Sequence, residues 1–213
     1  MEISKVFAEA VRTAPFGGHL TEGQVAGMNT ILNAWALPQF AGMNDLRWQA
    51  YVLATAYWET AHTMQPVIET FNPEYDTENP SVDTAIARLE NSWKAGHLPW
   101  VHQAYWRKDA NGVSWLGRGL AQVTFKENYL KAEQRTGIAF TSDPSLMLQP
   151  EHAALVMLDG MISGWFTGVK LADHFPATIM GDPISARRII NGTDHAVQIA
   201  DIYEQFFKAL KLG

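Results

Sequence analysis

Apolar residues recur at helical spacing along most of the chain. Near the N-terminus, Ile3, Phe7 and Val11 form one stripe, with Val6 and Ala10 beside them, and this pattern predicts a short amphipathic helix. The same period, bounded by capping residues and prolines, predicts further helices over residues 22–35, 45–65, 82–95, 128–135, 150–166 and 183–190, and a last helix that Asp194 caps. The sequence therefore predicts a mainly α protein with little β structure.

Two stretches depart from this period. Residues 71–80 form a polar segment bounded by prolines, and residues 97–116 are rich in aromatics without a clear repeat. There is no linker and no internal repeat, so we expect a single catalytic domain over residues 1–213. Within that domain, residues of about 72–116 are expected to form a smaller lobe that faces the main one across a cleft.

Composition narrows the classes of function. The 213 residues are 47% hydrophobic and carry no cysteine, which excludes a disulfide scaffold, cysteine-ligated zinc and a thiol nucleophile. The net charge of −6 argues against nucleic acid as a partner, because phosphate contacts need a basic face. No apolar run is long enough for a membrane span, so membrane insertion is not expected.

Tryptophan is the one unusual component. Five of the eight lie in the middle of the chain, at Trp58, Trp93, Trp100, Trp106 and Trp115. They can belong to an ordinary aromatic core, or they can line a cleft in which flat rings stack on sugars. Composition leaves both interpretations open.

Glu59 is the first candidate for chemistry. It falls on the same helical stripe as Trp48, Val52 and Thr55, near the C-terminal end of its predicted helix. Lost hydration and the negative end of the helix dipole both favour a protonated carboxyl there. A general acid needs that form, although a hydrogen-bonded glutamate at a helix end is the commoner case.

A second carboxylate can come from the segment after Pro66. Glu69 lies ten residues beyond Glu59, and Glu74, Asp76 and Glu78 follow it. Two carboxylates on opposite sides of a scissile bond are what glycosidic hydrolysis requires. For Asp76 and Glu78 we favour a solvated surface position.

The segment 115–124 offers neutral polar groups. Glycines flank Arg118, and in an extended strand Gln122 and Thr124 would share one face with Leu120. Amide and hydroxyl groups suit sugar hydroxyls, N-acetyl groups or an attacking water. A purely structural turn is the alternative.

Metal chemistry is not indicated. The sequence from Glu59 to His62 matches the last four residues of a zinc-peptidase HExxH motif. Trp58 stands where that motif has its first histidine, so one zinc ligand is missing. Neither a metal site nor a cofactor is predicted.

Three segments in order resemble family 19 glycoside hydrolases and their phage endolysin relatives. Residues 56–66 resemble the catalytic-helix "HET" motif, residues 117–129 resemble the "GRGxxQxT…NY" loop, and residues 186–192 resemble the "INGG" segment. Residues 164–168 resemble a segment of the endolysin branch. The resemblance covers residues of about 48–210.

This resemblance implies a lysozyme-like fold with two lobes around a substrate cleft, and cleavage of β-1,4-linked N-acetylated aminosugars. It implies that Glu59 is the general acid, that Glu69 is the second carboxylate, and that Thr124 positions the attacking water. The residues expected to bind substrate are Gln122, Asn128, Asn191 and Arg118. Trp58 and the missing cysteines depart from the plant chitinases.

The resemblance favours a phage endolysin that hydrolyses the peptidoglycan glycan strand. Charged residues interrupt the N-terminal stripe, so no export signal is predicted. We expect a monomer in the host cytoplasm that has no wall-binding module and reaches the wall after a separate protein permeabilises the membrane. The alternatives are a chitinase and an inactive carbohydrate-binding module.

Overall fold

The computed structural model describes residues 2–70 and 79–213, and it is mainly helical. About 53% of the described residues are helical. The α-helices in the described ranges are α1 (Lys5–Thr13), α2 (Glu22–Ala34), α3 (Leu46–Glu59), α4 (Val82–Lys94), α5 (Lys126–Thr136), α6 (Pro150–Ser163), α7 (Leu171–His174) and α8 (Ala196–Leu212). Short 3-10 segments lie at Pro38–Phe40, Pro144–Leu148 and Ser185–Ile189. The mainly α prediction is confirmed.

Local capping sets where several helices begin. Thr21 and Gln24 form the expected capping box, in which the Gln24 N–H donates to Thr21 Oγ1 over 3.2 Å and the Thr21 N–H donates to Gln24 Oε1 over 2.8 Å. Asp45 accepts from the Arg47 N–H at the start of α3, and Ser81 accepts from the Thr84 N–H at the start of α4. These starts agree with the sequence because each depends on neighbours within four residues.

Helix α3 is the centre of the main core. Residues 50–57 are buried on every side, which is the pattern of a helix enclosed by others and not of an amphipathic surface helix. Helix α3 packs most extensively against α8, and it also contacts α2 and α6. This burial fixes the direction in which the end of α3, and therefore Glu59, points.

Helix α3 ends at Glu59, earlier than the sequence predicts. Ala61 and His62 have φ values of 47° and 70°, so the chain leaves the helix through a left-handed turn. That turn is held against α2, because Gln24 Nε2 donates to the His62 carbonyl over 3.0 Å. Gly27 permits the approach, since a Cβ there would lie 1.9 Å from the Met64 carbonyl oxygen. Tertiary packing therefore ends the helix before Pro66 is reached.

Three other helix predictions are also corrected. The predicted helix over residues 183–190 is the 3-10 segment Ser185–Ile189. The N-cap of α8 is His195, with a φ of 54°, and not Asp194. Helix α6 stops at Ser163 because Gly164 adopts a left-handed φ of 79° and continues the chain in a new direction.

The segment 117–124 is a hairpin turn and not the extended strand that the sequence suggests. Arg118 and Val123 exchange both backbone hydrogen bonds, at 3.1 and 3.0 Å, and Gln122 has a φ of 50°. Strand β2 (Arg118–Gly119) pairs antiparallel with β1 (Val67–Ile68), with Val67 opposite Gly119. This pairing brings the hairpin beside the segment that follows α3.

The buried side chains form three clusters. The largest surrounds α3, and a second lies under the hairpin around Tyr129, Phe140 and Trp165. A third joins α4 to the irregular segment through Leu89, Trp106 and other residues between 68 and 116. The third cluster occupies the stretch for which the sequence suggests a smaller lobe. Of the five clustered tryptophans, Trp106 and Trp115 are core, whereas Trp100 is 68% exposed.

Candidate active site

Glu59 lies at the end of α3 in contact with a buried arginine. Arg187 Nη1 donates to Glu59 Oε1, and the two side chains are 4% and 15% exposed. Arg187 Nε also donates to the Asp194 carbonyl over 3.0 Å, which fixes the guanidinium. The carboxylate therefore has a partner of opposite charge, and is not the isolated acid on an apolar stripe that the sequence suggests.

The segment that follows Arg187 lies beside the end of α3. Trp58 packs against the ring of His195, with centroids 4.8 Å apart. Asn191 lies exposed in the turn after Arg187, and its N–H donates to the Arg187 carbonyl over 3.0 Å. The predicted substrate-binding residue Asn191 is thus on the segment that holds Glu59.

Glu69 follows β1, and both oxygens of its carboxylate accept hydrogen bonds. The Gly117 N–H donates to Oε2 over 2.8 Å, and the Tyr105 hydroxyl donates to Oε1. The Glu69 N–H in turn donates to the Gly117 carbonyl over 2.7 Å, so the backbone is fixed as well. Hydrogen bonds therefore restrain both oxygens of the carboxylate.

Gln122 lies beside Glu69 at the tip of the hairpin. Its Nε2 donates to the Val67 and Gly119 carbonyls over 3.0 and 3.1 Å. A Cβ at Gly117 would lie 3.0 Å from Gln122 Oε1 and 3.2 Å from Glu69 Oε2, so both side chains crowd that glycine. Gly117 therefore permits an approach that any larger residue would obstruct.

Thr124 and Asn128 continue from the hairpin into α5. Thr124 Oγ1 donates to the Gln122 carbonyl over 3.0 Å, and Asn128 Nδ2 donates to the Thr124 carbonyl over 2.8 Å. Both line a pocket of about 140 Å³ whose wall is made by Ala121, Gln122, Val123, Thr124, Phe125, Asn128, Trp165, Phe166 and Ile190. The lining is uncharged and combines polar side chains with apolar rings.

The pocket connects the two carboxylate regions. Ile190 lines it and lies three residues after Arg187, which contacts Glu59. Gln122 also lines it and lies beside Glu69. Gln122, Thr124 and Asn128 therefore line one pocket, whereas Glu59 and Glu69 lie outside its lining and contact Arg187 and Gly117, which shortly precede lining residues in the chain.

Arg118 does not present its side chain to a ligand. It is 3% exposed, and Nη1 donates to the Ser114 carbonyl and to the Tyr129 hydroxyl over 3.0 and 2.9 Å. The interaction with Arg118 and the burial of the phenol act in opposite directions, and burial is the larger effect, raising the pKa of Tyr129 to about 12. The prediction that Arg118 binds substrate needs correction, because its contacts support the hairpin from inside.

Two residues of the site were not singled out from the sequence. Arg187 appears there only as part of a motif, although an arginine pair between Ala186 and Ile189 on a mostly apolar segment is a signal that one of the two is a buried charge partner. Tyr105 gives no such signal, since it lies in a segment without periodicity. Glu74, the alternative second carboxylate, lies outside the described residues, as do Asp76 and Glu78.

Metal and membrane sites are absent from the described part of the chain. In residues 2–70 and 79–213, no three histidine, aspartate or glutamate side chains converge as metal ligands would. Across the same residues, no helix has the length and apolar content that a bilayer crossing requires.

At the level of sequence, no family model matches the chain, and neither does any curated protein. Solved structures do match it. Chitinase C from Streptomyces griseus superposes with a TM-score of 0.51 and 19% identity, covering 98% of this chain and 78% of the chitinase. The fold is lysozyme-like, as in the family 19 chitinases. A class IV chitinase of that family from Zea mays gives a TM-score of 0.53 at 17% identity, covering 100% of this chain and 96% of the enzyme. A mutant of chitinase C gives a TM-score of 0.52 at 18% identity.

Proposed function

We propose that this protein is a glycoside hydrolase of the endolysin type, which cleaves β-1,4 bonds in the glycan strand of peptidoglycan. The observation that carries the proposal is the pair of carboxylates, Glu59 and Glu69, each held by a hydrogen bond from a segment that also contributes to one neutral pocket. Acid and base catalysis of glycosidic hydrolysis needs two carboxylates in different protonation states. The similar fold of family 19 chitinases supports this class of reaction.

In this proposal Glu69 is the general base. Its two accepted hydrogen bonds fix the orientation of the carboxylate that withdraws a proton from water. Thr124 orients that water, since its hydroxyl donates to the Gln122 carbonyl and keeps its oxygen lone pairs for a water proton. Water attack at the anomeric carbon gives inversion of configuration.

Glu59 is the general acid in the same scheme. In the resting protein Glu59 pairs with Arg187 through Oε1, so Glu59 must take up a proton on Oε2 before each turnover, and that proton passes to the glycosidic oxygen as the bond breaks. Gln122, Asn128 and Asn191 are proposed to bind the sugar, because they offer amide groups around the pocket or next to the Glu59 region. The uncharged lining suits hydroxyl and acetamido groups.

Chitin is the second candidate substrate. The solved structures similar to this chain are named as chitinases, and this favours polymers of N-acetylglucosamine. Both candidates share the β-1,4 linkage and the acetamido group. An inactive carbohydrate-binding module is the third alternative, and it predicts binding without turnover.

Mass spectrometry of digested peptidoglycan, run beside a colloidal-chitin assay, separates these possibilities. We expect new reducing ends at muramic acid or glucosamine in the peptidoglycan digest, and the identity of the end gives the bond cleaved. Chitin turnover without release of wall fragments would select the chitinase. Glu59→Gln should lose about 10²–10⁴-fold in rate, because a glutamine cannot donate the proton.

The matched control is Glu204→Gln, which makes the same chemical change on the exposed face of α8. It should keep the wild-type rate. Wild-type activity in folded Glu59→Gln would refute the assignment of the acid. Normal activity in Glu69→Gln alone would move the base to another carboxylate, with Glu74 the first to test.

We also propose that the enzyme acts from the host cytoplasm after the membrane has been permeabilised. The segment 5–13 is folded as α1, with Phe7 and Val11 buried and the helix packed against α8. If this proposal is right, expression in bacteria leaves cells intact until chloroform or a pore-forming protein is added. Rapid lysis on expression alone would contradict this route.

A further inference from the structure

The hydroxyl of Tyr105 donates a hydrogen bond to the carboxylate of Glu69. The Gly117 N–H restrains Oε2, so the Tyr105 hydrogen bond to Oε1 fixes the remaining rotation of the carboxylate. Tyr105 comes from the irregular segment, 36 residues from Glu69 along the chain. Its role therefore arises only when the third cluster packs against β1.

Two aromatic rings hold Tyr105 in place. The Trp106 ring packs on it edge-on at a centroid distance of 5.1 Å, and the Phe125 ring packs on it at the same distance with a tilt of 52°. Trp106 is fully buried, and its Nε1 donates to Glu90 over 3.2 Å. The phenol ring therefore contacts both the buried Trp106 and Phe125, the residue that follows Thr124.

Phe125 is in an unusual conformation for an aromatic residue. Its φ is 71°, which a bulky side chain rarely adopts, and its N–H is fixed by a 2.9 Å hydrogen bond to the Trp115 carbonyl. The ring is 49% exposed, so burial of the side chain does not account for this backbone. The conformation places the ring against Tyr105 at the edge of the pocket that Phe125 also lines. Residues in such conformations cluster at functional sites.

We propose that Tyr105 is a positioning residue that sets the orientation of Glu69, with Phe125 restraining the phenol from the side of Thr124. The inference rests on the proposed function, because it takes Glu69 as the base. Burial of the phenol and the neighbouring carboxylate raise the pKa of Tyr105, so the hydroxyl stays a donor throughout the working pH range. The arrangement aligns the base with the water that Thr124 orients.

Tyr105→Phe tests the proposal, because it keeps the ring and its aromatic contacts while it removes the donor. We expect kcat to fall by about 10-fold, the effect of one hydrogen bond to a charged group, with KM unchanged. The double variant Tyr105→Phe with Glu69→Gln should be no slower than Glu69→Gln alone, since residues that act as a unit are not additive. If Tyr105 acted through packing alone, Tyr105→Phe would instead lower kcat by the same factor in the wild type and in Glu69→Gln.

Tyr57→Phe is the matched control. It also removes a tyrosine hydroxyl hydrogen bond, here a 3.1 Å contact with the Pro15 carbonyl, and it should keep the wild-type kcat. A wild-type kcat in Tyr105→Phe would overturn the proposal. Multiplying losses in the double variant would overturn it as well.

A crystal structure of Tyr105→Phe gives a readout that does not depend on turnover. We expect the Glu69 carboxylate to rotate away from the Gly117 N–H or to occupy more than one orientation. A carboxylate that keeps its single orientation would refute the positioning role. If the wild-type protein cleaves neither peptidoglycan nor chitin, the proposed function is wrong, and the crystal structure alone decides whether Tyr105 orients Glu69.

Discussion

Replacing Glu59 by glutamine tests the ion pair with Arg187 through stability as well as through turnover. From the sequence alone, a neutral amide on an apolar stripe is expected to leave stability equal or slightly higher. The structure reverses this expectation, because Arg187 is 4% exposed and would lose its charged partner. A buried charge without compensation is costly, so the variant should be less stable than the wild type.

The size of the loss follows from the geometry. Removing one member of a buried ion pair costs about 3–5 kcal/mol, but glutamine still offers a carbonyl oxygen to Arg187. The loss should therefore be close to that of one charged hydrogen bond, about 2 kcal/mol. For a chain of this length that corresponds to a fall in Tm of about 4–8 °C.

Thermal unfolding followed by circular dichroism measures this effect, with a mutant cycle as its control. Arg187→Met should cost about 3 kcal/mol, since it leaves Glu59 only 15% exposed and without its counter-charge. The double variant should be more stable than the sum of the two single losses predicts, because neither charge then remains unpaired. An unchanged or raised Tm in Glu59→Gln, or strictly additive losses, would refute the reasoning.

Three further predictions concern other parts of the molecule. Thr124→Val should lower activity by about 10²-fold while Thr124→Ser retains more, and equal rates for the two variants would remove Thr124 from the positioning of water. Arg118→Met should lower the free energy of unfolding by about 2 kcal/mol through lost contacts with the hairpin and Tyr129, without a change in KM for the folded fraction; a raised KM would instead indicate substrate binding. The side-chain hydrogen bond from Arg107 lowers the pKa of Glu90 to about 2, so its stabilising contribution is full above the ordinary value of 4.5 and is lost as the pH falls from there towards 2. Glu90→Gln should therefore remove part of the acid sensitivity of unfolding in that window, which pH-dependent denaturant melts would detect.

The sequence by itself determined most helix starts and the choice of several site residues. The capping box at Thr21 and the cap at Ser81 depend on atoms within one turn, so their patterns are readable along the chain. The spacing of Glu59 and Glu69, and the order of the glycines around Arg118, likewise lie in the sequence. The sequence does not show which residues these side chains contact.

Only the tertiary structure decided the environment of the two carboxylates. Arg187 lies 128 residues from Glu59 and Tyr105 lies 36 residues from Glu69, and no periodicity relates positions so far apart. The early end of α3 has the same origin, because Gln24 holds the His62 carbonyl and forces a left-handed turn. Local patterns set which backbone conformations are favoured. Charge pairing and chain reversal depend instead on which remote surfaces pack together, and that packing determined the Glu59–Arg187 pair and the turn after α3.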